Sequence, residues 1–216
     1  MGSAPVFLDE MAMRLGVTFE SLWQLDLRRD ARGNDAFPMK DGEGAVTGIR
    51  LRNPATGRKW SVRGSCDGLF YARGFENEKH EDQVVLKGPS DTAAAISADL
   101  PAVGRSSYLT GAPQLRQLAR RCRVRRVTIV ADLDAPRPKP GGGTWRPGLD
   151  GAKRLGRTQG LPFRIVLPPS DVKDFRDWRQ AGGMCPAKFW NESAAAFWQG
   201  PCTKGEPAPT TGKETP

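Results

Sequence analysis

Two aspartates one residue apart, Asp132 and Asp134, close the apolar run Val127-Thr128-Ile129-Val130. A β-branched run of this kind reads as a strand of a parallel sheet, buried on both faces. Its C-terminal end lies at the edge where open α/β folds bind ligands. Carboxylates gathered there with no cation beside them in the sequence repel one another, and a bound Mg²⁺ relieves that repulsion. An isolated Asp-x-Asp also begins ordinary turns, so the pair alone leaves a turn and a metal site both open. Two other strand ends carry acids. Lys87-Gly88-Pro89-Ser90-Asp91 follows an earlier strand, and Pro168-Pro169-Ser170-Asp171-Val172-Lys173-Asp174 follows a later one. Asp91 by itself would be a helix N-cap, but three carboxylate-bearing strand ends at one edge of one sheet favour the metal site.

The elements that must position these residues follow from the pattern of apolar positions and turn residues. Residues 6–27 predict a helix, with Leu8, Met11 and Leu15 on one face and Phe19, Leu22 and Trp23 after Gly16; Thr18 followed by Ser21 is a weak second helix start. From Phe37 to Tyr71 short β-type runs alternate with turn sequences such as Asp41-Gly42-Glu43-Gly44, which predicts an antiparallel lobe of hairpins. Beyond the acidic stretch ending at Asp82 the chain alternates: strand 83–86, helix 91–99, strand 102–103, helix 113–122, strand 126–131, helix 150–158, strand 163–167, helix 175–181. That alternation predicts a parallel sheet flanked by helices. The expected organisation is an N-terminal helical segment (1–35), a hairpin lobe (36–81), an α/β domain (82–183), and a C-terminal helix with a disordered tail (184–216). Residues 136–148, rich in Gly and Pro, predict a long loop carrying Arg137, Lys139, Trp145 and Arg146, either a flap over a nucleotide or strand or a solvated insert.

Composition narrows the partners. The 33 Lys and Arg exceed the 24 Asp and Glu, a net charge of +9, which favours a polyanion, nucleic acid before membrane. No stretch approaches the roughly 20 apolar residues of a membrane span and no secretory signal opens the chain, so a cytoplasmic location is expected. Cys66, Cys122, Cys185 and Cys202 are scattered, with neither zinc-ribbon nor disulfide spacing. His80 lies in a charged stretch and is expected in a solvated loop. Arg116, Arg120, Arg121, Arg123, Arg125 and Arg126 bracket a helix end and a strand start, at the sheet edge opposite the Asp-x-Asp. Favourable interaction with the helix dipole is the preferred reading there, with a remote nucleic-acid or partner contact as the alternative.

The glycine-turn-aspartate of Gly88–Asp91, together with Asp132-x-Asp134, resembles the TOPRIM domain, a fold shared by bacterial-type DNA primases, topoisomerases and some nucleases. Gly88-Pro89-Ser90-Asp91-Thr92-Ala93-Ala94-Ala95, Pro101-Ala102-Val103-Gly104-Arg105 and Val172-Lys173-Asp174-Phe175-Arg176-Asp177-Trp178 are similar to primase TOPRIM sequences, especially those of phages and plasmids. In the preceding lobe, Phe37-Pro38-Met39, Gly48-Ile49-Arg50-Leu51-Arg52 and Lys59-Trp60 resemble elements of the primase catalytic core. The likeness extends from about Phe37 to Gly182.

The resemblance implies a TOPRIM-like parallel sheet and metal-dependent nucleotidyl transfer, making RNA primers on single-stranded DNA from ribonucleoside triphosphates. Asp132, Asp134 and Asp174 would hold Mg²⁺ or Mn²⁺, Asp91 would act beside them, and Arg52, Lys59 and Trp60 would line the path of template or nucleotide. A replicative helicase is the implied protein partner. One departure weighs against activity: the family's motif begins with glutamate, and Lys87 stands in its place. A protonated lysine cannot ligate Mg²⁺; it can mimic a metal's charge, hold a phosphate, or act as a base if its pKa is strongly depressed. A nucleic-acid-binding module without catalysis and a TOPRIM nuclease are the alternatives. The zinc-binding module usual in bacterial-type primases has no matching cysteine spacing here, which leaves a fragment, a partner-dependent core or a divergent form open.

Overall fold

The computed structural model describes residues 6–139, 141–169, 171–182 and 185–193. The tail beyond Cys202, expected to be disordered, lies outside the described residues. The N-terminal periodicity folds as two helices, α1 (Val6–Leu15) and α2 (Phe19–Gln24). The chain turns between them, and the Thr18 hydroxyl accepts the Ser21 amide at 3.2 Å to start the second. Five strands follow: β1 (Arg28–Arg29), β2 (Asp35–Lys40), β3 (Val46–Arg52), β4 (Lys59–Ser61) and β5 (Leu69–Tyr71). The alternating region supplies β6 (Asp82–Lys87), α3 (Pro89–Ile96), β7 (Ala102–Arg105), α4 (Ala112–Arg121) and β8 (Arg126–Val130). It continues with the short hairpin β9 (Arg137–Pro138) and β10 (Thr144–Trp145), then α5 (Pro147–Gln159), β11 (Phe163–Val166), α6 (Phe175–Gly182) and α7 (Pro186–Ser193).

Among the described residues nine strands form one sheet, in the order β11-β8-β6-β7-β5-β2-β3-β4, with β1 paired to β2. β11, β8, β6 and β7 are parallel. The hairpin lobe is continuous with them, because β5 pairs antiparallel with β7. The fold is thus mixed α/β, with a parallel centre flanked by helices. Crossovers between parallel strands are right-handed. From β6 the chain steps one way to β7 and then reverses past β6 to β8, so α3 and α4 must lie on opposite faces. They do: α3 packs with α1, α2, α6 and α7 over Val84, Leu86 and Val130, and α4 packs with α5 over Val85, Val103, Val127 and Ile129. The reversal opens a crevice between the C-terminal ends of β6 and β8, the usual ligand position in such sheets.

Two local departures have clear causes. The expected loop 136–148 contains the β9–β10 hairpin, and α5 begins inside it with Pro147 at its first turn, where proline is well tolerated. His80 is stacked on Phe75, with ring centroids 4.0 Å apart, rather than solvated. Its amide donates to the Cys122 carbonyl at 2.9 Å, which draws it onto the domain.

Helix α5 reaches the crevice through a glycine. A Cβ at Gly148 would lie 2.9 Å from the Asp132 amide nitrogen and closer still to its carbonyl oxygen. Gly148→Ala is therefore expected to cost about 1–3 kcal/mol as overpacking, lowering the thermal midpoint by roughly 2–4 °C per kcal/mol in a chain of this size. Thermal denaturation followed by circular dichroism checks this.

Candidate functional site

Lys87 is the last residue of β6, and Asp132 lies just beyond the end of β8. The Lys87 ammonium contacts Asp132 Oδ2, lies 3.9 Å from Asp134 Oδ2 and donates to the Tyr108 hydroxyl at 2.7 Å. The Tyr108 hydroxyl in turn donates to Asp134 Oδ2. One cation and one phenol therefore close a ring with the two aspartates whose mutual repulsion had suggested a metal. Burial works against the charge on Lys87, but the Asp132 charge and the hydrogen bonds to Asp132 and Tyr108 hold its ammonium above the ordinary lysine range. It stays protonated and is not a base.

Tyr108 has no motif to announce it; the only signal in the sequence is its place in the loop after β7. The loop is held by Arg105, which is 4 % exposed and donates to the Tyr108 carbonyl at 3.1 Å. Burial lowers the Arg105 guanidinium to about 10, with Asp132 opposing that fall. At the start of α3, Gly88 takes φ 84, a backbone conformation that favours glycine, and serves as the N-cap. Asp91 is thus inside the first helical turn rather than capping it. It is buried, and its carboxyl is pushed well above the usual range by burial, then by Asp174 and Asp132, with Arg176 and Lys87 opposing. Asp174 caps α6, accepting the Asp177 amide at 3.0 Å, while its other oxygen lies 3.9 Å from Arg176.

These residues border a cleft of about 400 Å³ between the parallel edge and the hairpin lobe, lined by Lys87, Asp91, Tyr108, Asp132, Asp174 and Arg176 on one side. Arg50, Arg52 and Lys59 line the other. Arg52 and Lys59 are cross-strand partners, so one face of the β3–β4 pair presents both. Partial burial, then Arg14 and Arg176, lower the Arg52 guanidinium, and its buried Nε has no hydrogen-bond partner. Trp60, one residue past Lys59, is not among the lining residues; the Arg58 guanidinium lies 5.9 Å from its ring centroid. Asp134 lies on the far side of the Asp-x-Asp turn, in the wall of a smaller cavity shared with Asp132 and Arg146.

The residues present do not fit a metal ion as they stand. The Lys87 ammonium holds the place between Asp132 and Asp134, and Asp174 is engaged as a helix cap. Among the described residues no three His, Cys, Asp or Glu side chains are grouped to hold one.

The raised pKa of Asp91 sets a sign. A carboxyl that holds its proton more tightly folded than unfolded favours the fold at low pH, and that contribution is lost as pH rises from about 4 towards the folded value. Asp91→Asn should therefore raise the thermal midpoint at pH 7, and the gain should vanish as pH falls to about 4. Melting curves of both proteins across that range check it.

No family model matches the chain, and no curated protein matches it. Solved structures do. A DnaG primase catalytic domain bound to single-stranded DNA is 15% identical, covering 92% of this chain and 74% of that one, with a TM-score of 0.66. The E. coli primase catalytic core is 20% identical, over 88% and 64% of the two chains, with a TM-score of 0.57. The primase fragment of the bacteriophage T7 primase-helicase protein is 16% identical, over 79% and 68%, with a TM-score of 0.56. The chain thus has the fold of a primase catalytic core.

Proposed function

We propose that this chain is a primase-type core whose cleft takes single-stranded DNA and ribonucleoside triphosphates, and whose nucleotidyl transfer is held down by Lys87. The observation that carries this reading is the Lys87 ammonium lying against Asp132 and near Asp134, where the resemblance calls for a glutamate. Arg50, Arg52, Lys59 and Arg176 support the binding half: they gather crowded positive charge around one cleft, suited to phosphates. Trp60, paired with Leu51 on the opposite face of the strand from Lys59, stands outside the cleft and has no part in this reading. The likeness to a domain bound to single-stranded DNA, and to a primase-helicase fragment, supports a template strand and a helicase as partners in the cytoplasm.

Magnitudes favour the lysine over a metal. Removing one partner of a buried ion pair costs on the order of 3–5 kcal/mol. If the ammonium stays, a cation arriving ~4 Å away meets about 4 kcal/mol of repulsion per unit charge at an effective dielectric near 20. Asp132, Asp134 and Asp174 are therefore expected to take Mg²⁺ or Mn²⁺ only when Lys87 is replaced. Asp91 faces the same cavity and would join them in that variant.

Three measurements on the wild-type chain and Lys87→Glu test this. Primer synthesis on single-stranded DNA with labelled ribonucleotides and Mg²⁺ or Mn²⁺ should rise at least tenfold in the variant. Millimolar Mg²⁺ should raise the melting temperature of the variant only, the stabilisation reaching ~2.7 kcal/mol where the ion is at a hundred times its Kd. Single-stranded DNA should bind the wild-type chain equally in EDTA. Equal, robust synthesis by both proteins would remove the restraining role of Lys87, and absence of DNA binding by the wild type would remove the core reading itself.

A further inference from the structure

The outer face of α4 and α5 carries a field of cations that the cleft does not use. Between Ala112 and Arg125 there are five arginines and no carboxylate, Arg126 beyond them being paired with Asp82 and Glu81, and α5 adds Lys153, Arg154 and Arg157 with Asp150 as its one acid. Burial of Leu115, Leu118 and Ala119 on α4, and of Ala152 and Leu155 on α5, turns these cations outward. Arg116 donates to the Thr158 carbonyl at 3.0 Å and ties the two helices together. Arg121 donates to the Glu76 carbonyl at 2.8 Å. Arg120, Lys153, Arg154 and Arg157 are exposed and make no ion pair among the described residues. Helix dipoles account for Arg120, Arg121 and Arg157, which sit in last turns. They do not account for Arg116, Lys153 or Arg154.

We infer that this face binds the phosphate backbone of duplex DNA, at a site separate from the cleft. Cations four residues apart on a helix stand ~6 Å from one another, so Arg116 with Arg120, and Lys153 with Arg157, form two rows that can meet successive phosphates. A shallow groove of about 440 Å³ runs along the first row, with Glu43 as the acid in its wall. Among the described residues the exposed large apolar side chains lie outside both helices, so the face lacks the aromatic or aliphatic anchors typical of a protein interface. Guanidinium groups on a polar face suit phosphate oxygens. The cleft gathers its cations beside carboxylates whereas this face has few acids, so the two surfaces would serve different forms of nucleic acid.

The test is the salt dependence of binding to a blunt DNA duplex by the whole chain. Arg120→Ala/Lys153→Ala/Arg157→Ala is compared with Arg32→Ala/Arg58→Ala/Arg63→Ala, which removes the same charge from exposed positions of the other lobe. The α4–α5 triple should reduce the slope of log affinity against log salt by about 2–3, near 0.9 for each phosphate that is no longer neutralised, while the control keeps the wild-type slope. Single-stranded binding, measured beside Arg52→Ala/Lys59→Ala, should fall in that cleft variant and persist in the α4–α5 triple, so failure of the cleft reading is seen separately. Equal weakening in both triples, or an unchanged slope in the first, overturns the inference. So does a poly-glutamate peptide whose binding needs the patch while duplex binding does not.

Discussion

The single positive charge of Lys87 lies against one and near the other of two carboxylates that the fold forces together at its crevice, and the rest of the site is arranged around that contact. Asp132 and Asp134 cannot separate, because the strand before them is locked between β6 and β11 and Gly148 of α5 lies against the Asp132 backbone. Asp91 and Asp174 approach from the starts of two helices that pack on the same face. Without a cation between them these groups would be mutually destabilising. In this chain the cation is covalent. A side chain cannot be diluted away, so the repulsion between Asp132 and Asp134 is eased at every concentration of divalent ion.

On the proposed reading, that choice separates binding from chemistry. Phosphate recognition asks only for fixed positive charge and donors, and on the proposed reading Arg50, Arg52 and Lys59 on one side of the cleft, with Arg176 on the other, would supply both without any ion. Tyr108 completes the lysine network while the Arg105 side chain, itself buried, holds its loop. The network is therefore supported by packing on several elements, and it is not the chance contact of one mobile lysine.

The basic balance of the chain is divided in space by the sheet. The crevice gathers cations beside carboxylates at the C-terminal edge of the strands, where Lys87 and Arg176 lie against specific carboxylates. The α4–α5 face gathers them on solvent-exposed rows with few acids. Right-handed crossovers make that division unavoidable: α3 and α4 must take opposite faces, so a cation placed on the outer side of α4 stays remote from the crevice.

Alternation of strands and helices, the carboxylates at strand ends and the lysine at position 87 were all legible in the amino-acid order, because they depend on local periodicity and on short motifs. The division of the first helix was half legible, through Thr18. The hairpin within 136–148 was not, since its strands are two residues long and need each other to exist. Nor was the stacking of His80 on Phe75, which requires the Cys122 carbonyl to hold its backbone. By itself the sequence determined which residues stand at the edge of the sheet; only the tertiary structure decided that Lys87, 45 positions before Asp132, would be the counter-ion the aspartates lack nearby. The reason is that charge compensation acts through space, between neighbouring parallel strands whose pairing places residues far apart in the chain within a few ångströms.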